Sequence, residues 1–188
     1  MTQATLSTQR LQLRPLAPEH LELEVELDSD PQVMRYLFAG RPRPLEDIVR
    51  AHQRRLATAK NHPGFGFWSG FVHGTFVGWW LLDAEFDDGL PRPGEAEIGY
   101  RLLPGFWRQG FASEGAAELL RHAFTDLSVH RVFGQTMAVN EGSRATMSRI
   151  GLRYVRTFHQ EWVVPISGHE LGEVEYAITR DEWLANFS

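Results

Sequence analysis

The sequence predicts a mixed α/β (α+β) domain, an antiparallel meander followed by a strand-helix-strand unit, and three observations point there. The stretch from Phe65 to Leu82 is aromatic and β-prone, and Gly74 divides it as a hairpin turn would. Ala96, Ile98, Tyr100 and Leu102 alternate with Glu97, Gly99, Arg101 and Leu103, the period of a third strand. After Gly110 the period turns helical, with Ala112, Ala116, Leu119, Leu120, Ala123 and Phe124 on one side and Ser113, Glu114, Glu118 and Arg121 on the other.

The remaining elements follow in chain order. Leu11, Leu13 and Leu16, set among Gln12, Arg14 and Pro15, give a first strand with Arg14 on its other face. Pro18-Glu19-His20 opens a helix, and Asp30-Pro31 starts a short one through Val33, Met34 and Leu37. From Leu45 to Ala59, apolar Ile48, Val49, Leu56 and Ala59 lie among Glu46, Asp47, Arg50, Arg54 and Arg55, a surface helix with one buried stripe. Between the second and third strands, Asp83, Glu85, Asp87 and Asp88 read as a solvated loop, although such a loop also attracts cations. Arg131 to Val139 is a strand, Asn140 begins a short helix that Gly151 stops, and Tyr154 to Trp162 pairs with Val174 to Thr179 as a closing hairpin.

Composition limits the function. The chain has 188 residues, 43% hydrophobic and 23% charged, with no Cys. A chain of this size buries roughly 70% of its unfolded surface without help from metal or disulfide, so one domain over residues 1–188 is expected. The net charge of −5 and the lack of a basic run argue against nucleic acid as a partner. The N-terminal residues lack a charged, then apolar, leader pattern, and no segment has the roughly 20 apolar residues of a membrane span. A cytoplasmic protein with no membrane partner is expected, and the absence of Cys removes a thiol nucleophile. Neither His122 nor His130 has a metal-ligand spacing, so no metal is expected. Trp68, Trp79 and Trp80 read as sheet core, with one of them able to wall a pocket.

The most informative segment runs from Leu103 to Glu114. A strand ends, a turn with two glycines follows, and an amphipathic helix begins, so unpaired N–H groups and the positive helix end converge on one spot. Arg108 adds a cation, while Gly110 and Ala112 let a phosphate approach the backbone. A tight turn with a solvated Arg108 is the plainer account of the same residues. Neither a Walker loop nor a dinucleotide fingerprint occurs in this segment.

Taken together, Glu97-Ile98-Gly99-Tyr100, Pro104-Gly105-Phe106-Trp107, Gly110-Phe111-Ala112-Ser113-Glu114, Asn140-Glu141-Gly142-Ser143 and Arg149-Ile150-Gly151-Leu152 resemble the GNAT acetyltransferases. The opening Thr8 to Leu16 and the Trp79-Trp80 strand are similar to the subgroup of ribosomal-protein N-terminal acetyltransferases. The resemblance implies a mostly antiparallel sheet with helices on both faces, splayed between two strands to hold coenzyme A. Tyr100, Arg101 and Leu102 would then line the pantetheine, and the turn of Arg108, Gln109, Gly110, Phe111, Ala112 and Ser113 would hold the pyrophosphate. It further implies that Asn140 hydrogen-bonds the pantetheine, although Asn is also a common helix cap. Two positions depart from the pattern. Trp107 stands where the family has Gln or Arg, and Met147 stands where many members place the Tyr that protonates the leaving thiolate.

Transfer from acetyl-CoA to an amine needs a neutral amine, a stabilised oxyanion and a proton for the sulfur. Glu97, on the strand that presents the thioester, is the expected base; a carboxylate merely paired with Arg explains it as well, and Glu161 is a second candidate. Ser143 is the candidate acid, with water as its substitute. The acceptor implied by the subgroup is a protein N-terminal α-amine. A polyamine, amino acid or aminoglycoside-like amine is the alternative, and a coenzyme-binding module without turnover is the non-enzyme one. A homodimer is common in that subgroup and is expected from the resemblance alone.

Overall fold

The computed structural model describes residues 3–87 and 90–185. Among them, eight strands form one sheet in the order β1-β2-β3-β4-β5-β6-β8-β7. The first five are β1 (Leu6–Ser7), β2 (Gln12–Pro15), β3 (Gly66–Val72), β4 (Thr75–Asp87) and β5 (Leu90–Leu102), all antiparallel neighbours. Helix α4 (Phe111–Asp126) then carries the chain over to β6 (Arg131–Met137), which runs parallel to β5. Helix α5 (Glu141–Arg149) leads to β7 (Arg153–Phe158), and β8 (Glu173–Thr179) inserts between β6 and β7. Helices α1 (Leu21–Asp28), α2 (Pro31–Met34) and α3 (Leu45–Asn61) precede β3, and α6 (Arg180–Ala185) follows β8.

Alternation along the strands divides the core into two layers. One layer holds Trp68, Trp80, Ala96, Ile98 and Leu102 from the sheet with Ala116, Leu119, Leu120, Ala123 and Phe124 of α4. The other holds Phe67, Phe71 and Trp79 with Leu27, Val33 and Met34 of α1 and α2. Helices thus cover both faces. Trp80 fixes the spacing of the first layer: its indole donates to the Ala112 carbonyl at 3.2 Å, and a Cβ on Gly115 would meet it at 2.4 Å. Only glycine lets α4 lie this close to the ring.

Three local expectations are corrected. The acidic segment after Leu82 is not a loop: β4 continues through Asp83, Glu85 and Asp87, and β5 begins at Leu90, so ladder bonds continue where side-chain charge suggested solvent. Asp88 lies outside the described residues. The strand expected to reach Trp162 stops at Phe158, which leaves Glu161 exposed in the connection to β8. Strand β1 and helix α6 were not expected; each is too short to carry a period.

Candidate active site

The turn between β5 and α4 is built from backbone. Arg108 and Gly110 both adopt positive φ, 57° and 85°, a conformation that turns successive N–H groups outward as a nest. None of the backbone N–H groups from Arg108 to Ser113 meets an acceptor among the described residues, and the first internal bond of α4 runs from Glu114 to the Gly110 carbonyl at 2.9 Å. The Arg108 side chain is exposed. The turn is braced from behind, where Trp107 Nε1 donates to the Leu102 carbonyl at 2.7 Å and Gln109 Nε2 to the Gly105 carbonyl at 2.7 Å.

A second brace comes from the N-terminal segment. Arg10 donates to Glu114 Oε2 at 2.6 Å and to the Gln109 carbonyl at 3.0 Å, and its guanidinium lies 4.3 Å from the centre of the Phe111 ring. Thr8 Oγ1 also donates to Glu114, at 2.5 Å. Burial pushes the Glu114 carboxyl up, but the hydrogen bonds from Thr8 and Arg10 outweigh it and hold the group below the usual carboxylate range. Gly110 is recognisable in sequence as a glycine before a helix. The partner of Glu114 lies 104 residues away, and only the fold brings it there.

Beyond this turn lies the opening in the sheet. The β5–β6 ladder covers only Glu95 to Glu97 against Arg131 to Phe133, while β5 stays paired with β4 as far as Leu102. From Ile98 to Leu102 the β6-facing edge of β5 therefore has backbone groups to offer an extended ligand, such as a pantetheine arm, and Glu97 stands where the strands part. Tyr100 reaches toward α5, donating to the Ser143 carbonyl at 3.0 Å with the Ser143 hydroxyl at 3.3 Å. Burial pushes the Tyr100 phenol up to about 12, so it stays protonated at neutral pH. Leu102 is buried in the first core layer.

Asn140 caps α5, accepting from the Ser143 N–H at 3.2 Å and donating to Thr136 Oγ1 at 3.0 Å. Its amide keeps one further donor and one further acceptor for a ligand. Met147 is 2% exposed and packs in the first core layer, so that position serves the core. The Ser143 hydroxyl, one turn earlier on α5, lies 3.3 Å from the Tyr100 phenol.

The Arg101 side chain crosses to the other face of the sheet, where it pairs with Asp28 and lies 4.8 Å from the Trp79 ring, so its backbone is what borders the gap. On that face a buried charge network gathers. Asp28, fully buried, pairs with Arg101 and with Arg43 at 3.2 Å, while Glu24 accepts from Arg55 at 2.6 Å and contacts His52 Nδ1 at 2.7 Å. Burial lowers the Arg101 pKa, and its pairing with Asp28 opposes that shift.

Next to this network is a cavity of about 260 Å³ whose walls include Phe38, Arg43, Arg54, Arg55, Phe67 and Asp83. Asp83 faces Glu97 across the β4–β5 ladder. Its Oδ1 is buried without a hydrogen bond, and burial raises its pKa. A second buried acid was also missed from sequence: Glu173, on β8 opposite Met137, has an unpartnered Oε1 and a pKa raised by burial. Neither has a motif; what marks them is burial, which the sequence does not display.

His122 is structural, bonded to Asp126 at 2.8 Å and to the Gly64 carbonyl at 3.1 Å, and His130 is exposed. Among the described residues no group of three or more His, Cys, Asp or Glu is placed to hold a metal, and no helix is long and apolar enough to cross a membrane.

Comparison with known proteins gives three findings. The model of the acetyltransferase (GNAT) domain matches residues 10–153. A protein of Aspergillus fumigatus named FsC-acetyl coenzyme A-N(2)-transacetylase is 45% identical over 97% of this chain and 79% of its own length. Among solved structures, the ribosomal L7/L12 alpha-N-protein acetyltransferase RimL in complex with coenzyme A superposes with a TM-score of 0.79 at 19% identity, over 95% of this chain and 99% of that one. Spermidine N-acetyltransferase from Vibrio cholerae, in complex with CoA and spermine, superposes with a TM-score of 0.75 at 16% identity, over 94% and 99%. Likeness at such identities establishes the fold alone.

Proposed function

This chain belongs to the GNAT acetyltransferase family, an acetyl-CoA-dependent N-acetyltransferase by that membership, and we propose that its acceptor is the α-amine of a small amino-acid-derived molecule. The acceptor assignment is supported by the relative of 45% identity, whose name specifies transfer to N(2). The protein N-terminal amine suggested by the subgroup has support only from structures whose likeness is one of fold.

The observation that carries the mechanism is the position of Glu97 at the last rung of the β5–β6 ladder. In the reading proposed here, the N–H groups from Arg108 to Ser113 hold the coenzyme's pyrophosphate, supported by Arg108 and the positive end of α4. The pantetheine pairs with the β5 edge at Tyr100, Arg101 and Leu102, and with the spare groups of Asn140. A free amine with a pKa near 8–10 is mostly protonated at neutral pH, so Glu97 takes its proton, directly or through water, before attack. Backbone N–H groups of β5 beyond Glu97 stabilise the oxygen that gains charge. Ser143 then gives a proton to the departing sulfur as the C–S bond breaks and regains one through water from the nitrogen, which sheds its second proton to become the amide. The Tyr100 hydroxyl lies 3.3 Å from that of Ser143.

The test is acetyl-CoA-dependent thiol release over a panel of amino acids, polyamines and peptides. Glu97→Gln is expected to lower kcat by about 100-fold or more while leaving the Kd for acetyl-CoA unchanged. Retention of full kcat in this variant would move the base elsewhere.

A further inference from the structure

We infer that the cavity between α3 and the β3–β4 strands is an anion-recognition subsite for the acceptor, so that the substrate class is a primary amine that also carries a carboxylate. This inference rests on the acetyltransferase reading above and deepens it. Charge carries it first. Among the described residues, three guanidiniums, Arg43, Arg55 and Arg101, share only the carboxylates of Glu24 and Asp28, and all but the rim of Arg43 are buried. His52, hydrogen-bonded to Glu24, supplies no negative charge in either protonation state. A buried cluster with surplus positive charge is costly unless an anion completes it.

Geometry carries it second. Arg43 and Arg55 line the cavity, and so does Arg54, which is exposed and has no ion-pair partner among the described residues. Arg54 adds a fourth guanidinium at the end of the cavity formed by Arg43 and Arg55, while the carboxylates of Asp83 and, facing it across the ladder, Glu97 lie at the other end. The unpartnered Asp83 Oδ1 supplies the opposite polarity at the end of the cavity next to Glu97. A ligand with a carboxylate toward Arg54 and Arg43 and an ammonium toward Asp83 and Glu97 matches both. The aromatic rings of Phe38 and Phe67 leave the span between them apolar.

The experiment uses acceptor pairs in which the sole carboxylate is replaced by a carboxamide: leucine against leucinamide, and 6-aminohexanoate against its amide. Wild type is expected to favour the carboxylate member in kcat/KM by about 10-fold or more, the scale of one charge-assisted hydrogen bond. Arg54→Gln is expected to raise KM for that member and erase the preference, with the Kd for acetyl-CoA unchanged. Because Arg54 is exposed and has no ion-pair partner among the described residues, loss of fold does not explain such a split. Equal or better use of the amides, or transfer confined to polyamines or peptides, overturns the inference and leaves the acetyltransferase reading standing. No thiol release with any amine of the whole panel overturns that reading itself.

Discussion

The two faces of the sheet offer different means of recognition. On the α4 side, the candidate coenzyme site is made of backbone: N–H groups of a turn held open by two positive-φ residues, and the unshared edge of β5. On the α1–α3 side, the cavity is made of side chains, with arginines shared among two buried carboxylates. Backbone recognition depends on local geometry and tolerates sequence change. Side-chain recognition depends on the identity of each residue, so the second face is where relatives of one fold can differ in acceptor.

Substitutions test the contrast by their readout. The largest effect is expected at Asp28→Ala, which leaves Arg101 and Arg43 buried without their shared acceptor; the loss is about 3–5 kcal/mol, read as a lower urea midpoint. Gly115→Ala is expected to cost about 1–3 kcal/mol, because the added Cβ falls on the buried Trp80 ring and α4 must move away. Thermal melts with and without acetyl-CoA check whether that movement also weakens the turn.

Arg10→Ala removes the brace between the N-terminal segment, Gln109 and Glu114. It is expected to raise the Kd for acetyl-CoA several-fold, with kcat little changed, since its partly exposed ion pair contributes about 0.2–1 kcal/mol. The smallest effect concerns pH. The folded-state pKa of Glu114 is depressed, so its contribution is present above the unfolded carboxyl pKa and is lost as pH falls through the folded value. Glu114→Gln is expected to flatten that part of the acid limb in unfolding measured from neutral pH downward.

The same contrast explains what the sequence could reveal. The elements of the candidate coenzyme face were legible because their signals are local: Gly110 before an amphipathic run, Asn140 three residues before Ser143, and the alternation of Ala96, Ile98, Tyr100 and Leu102. The destination of the Arg101 side chain was not legible in the same way. The Arg101 backbone belongs to the strand that borders the gap, but strand alternation sends its side chain through to Asp28, 73 residues earlier. The Glu24 contacts with His52 and Arg55 span 28 and 31 residues, and no period or motif connects them. Asp83 read as solvent-exposed because acidic neighbours follow it, yet β4 continues through it and buries its Oδ1. Glu161 read as a strand residue until β7 ended at Phe158.

The most direct measurement is thermal unfolding with and without acetyl-CoA, using ADP and NAD as controls, on wild type, Arg54→Gln and Gly110→Val. At a ligand concentration 100-fold above Kd, binding stabilises by about 2.7 kcal/mol, or about 5–10 °C for a domain of this size. The expected result is a shift with acetyl-CoA in wild type and in Arg54→Gln, and its loss in Gly110→Val, whose side chain cannot adopt the φ of 85° without strain. A full shift in Gly110→Val, or none in wild type at millimolar acetyl-CoA, would contradict the assignment of the coenzyme to the Arg108–Ser113 turn.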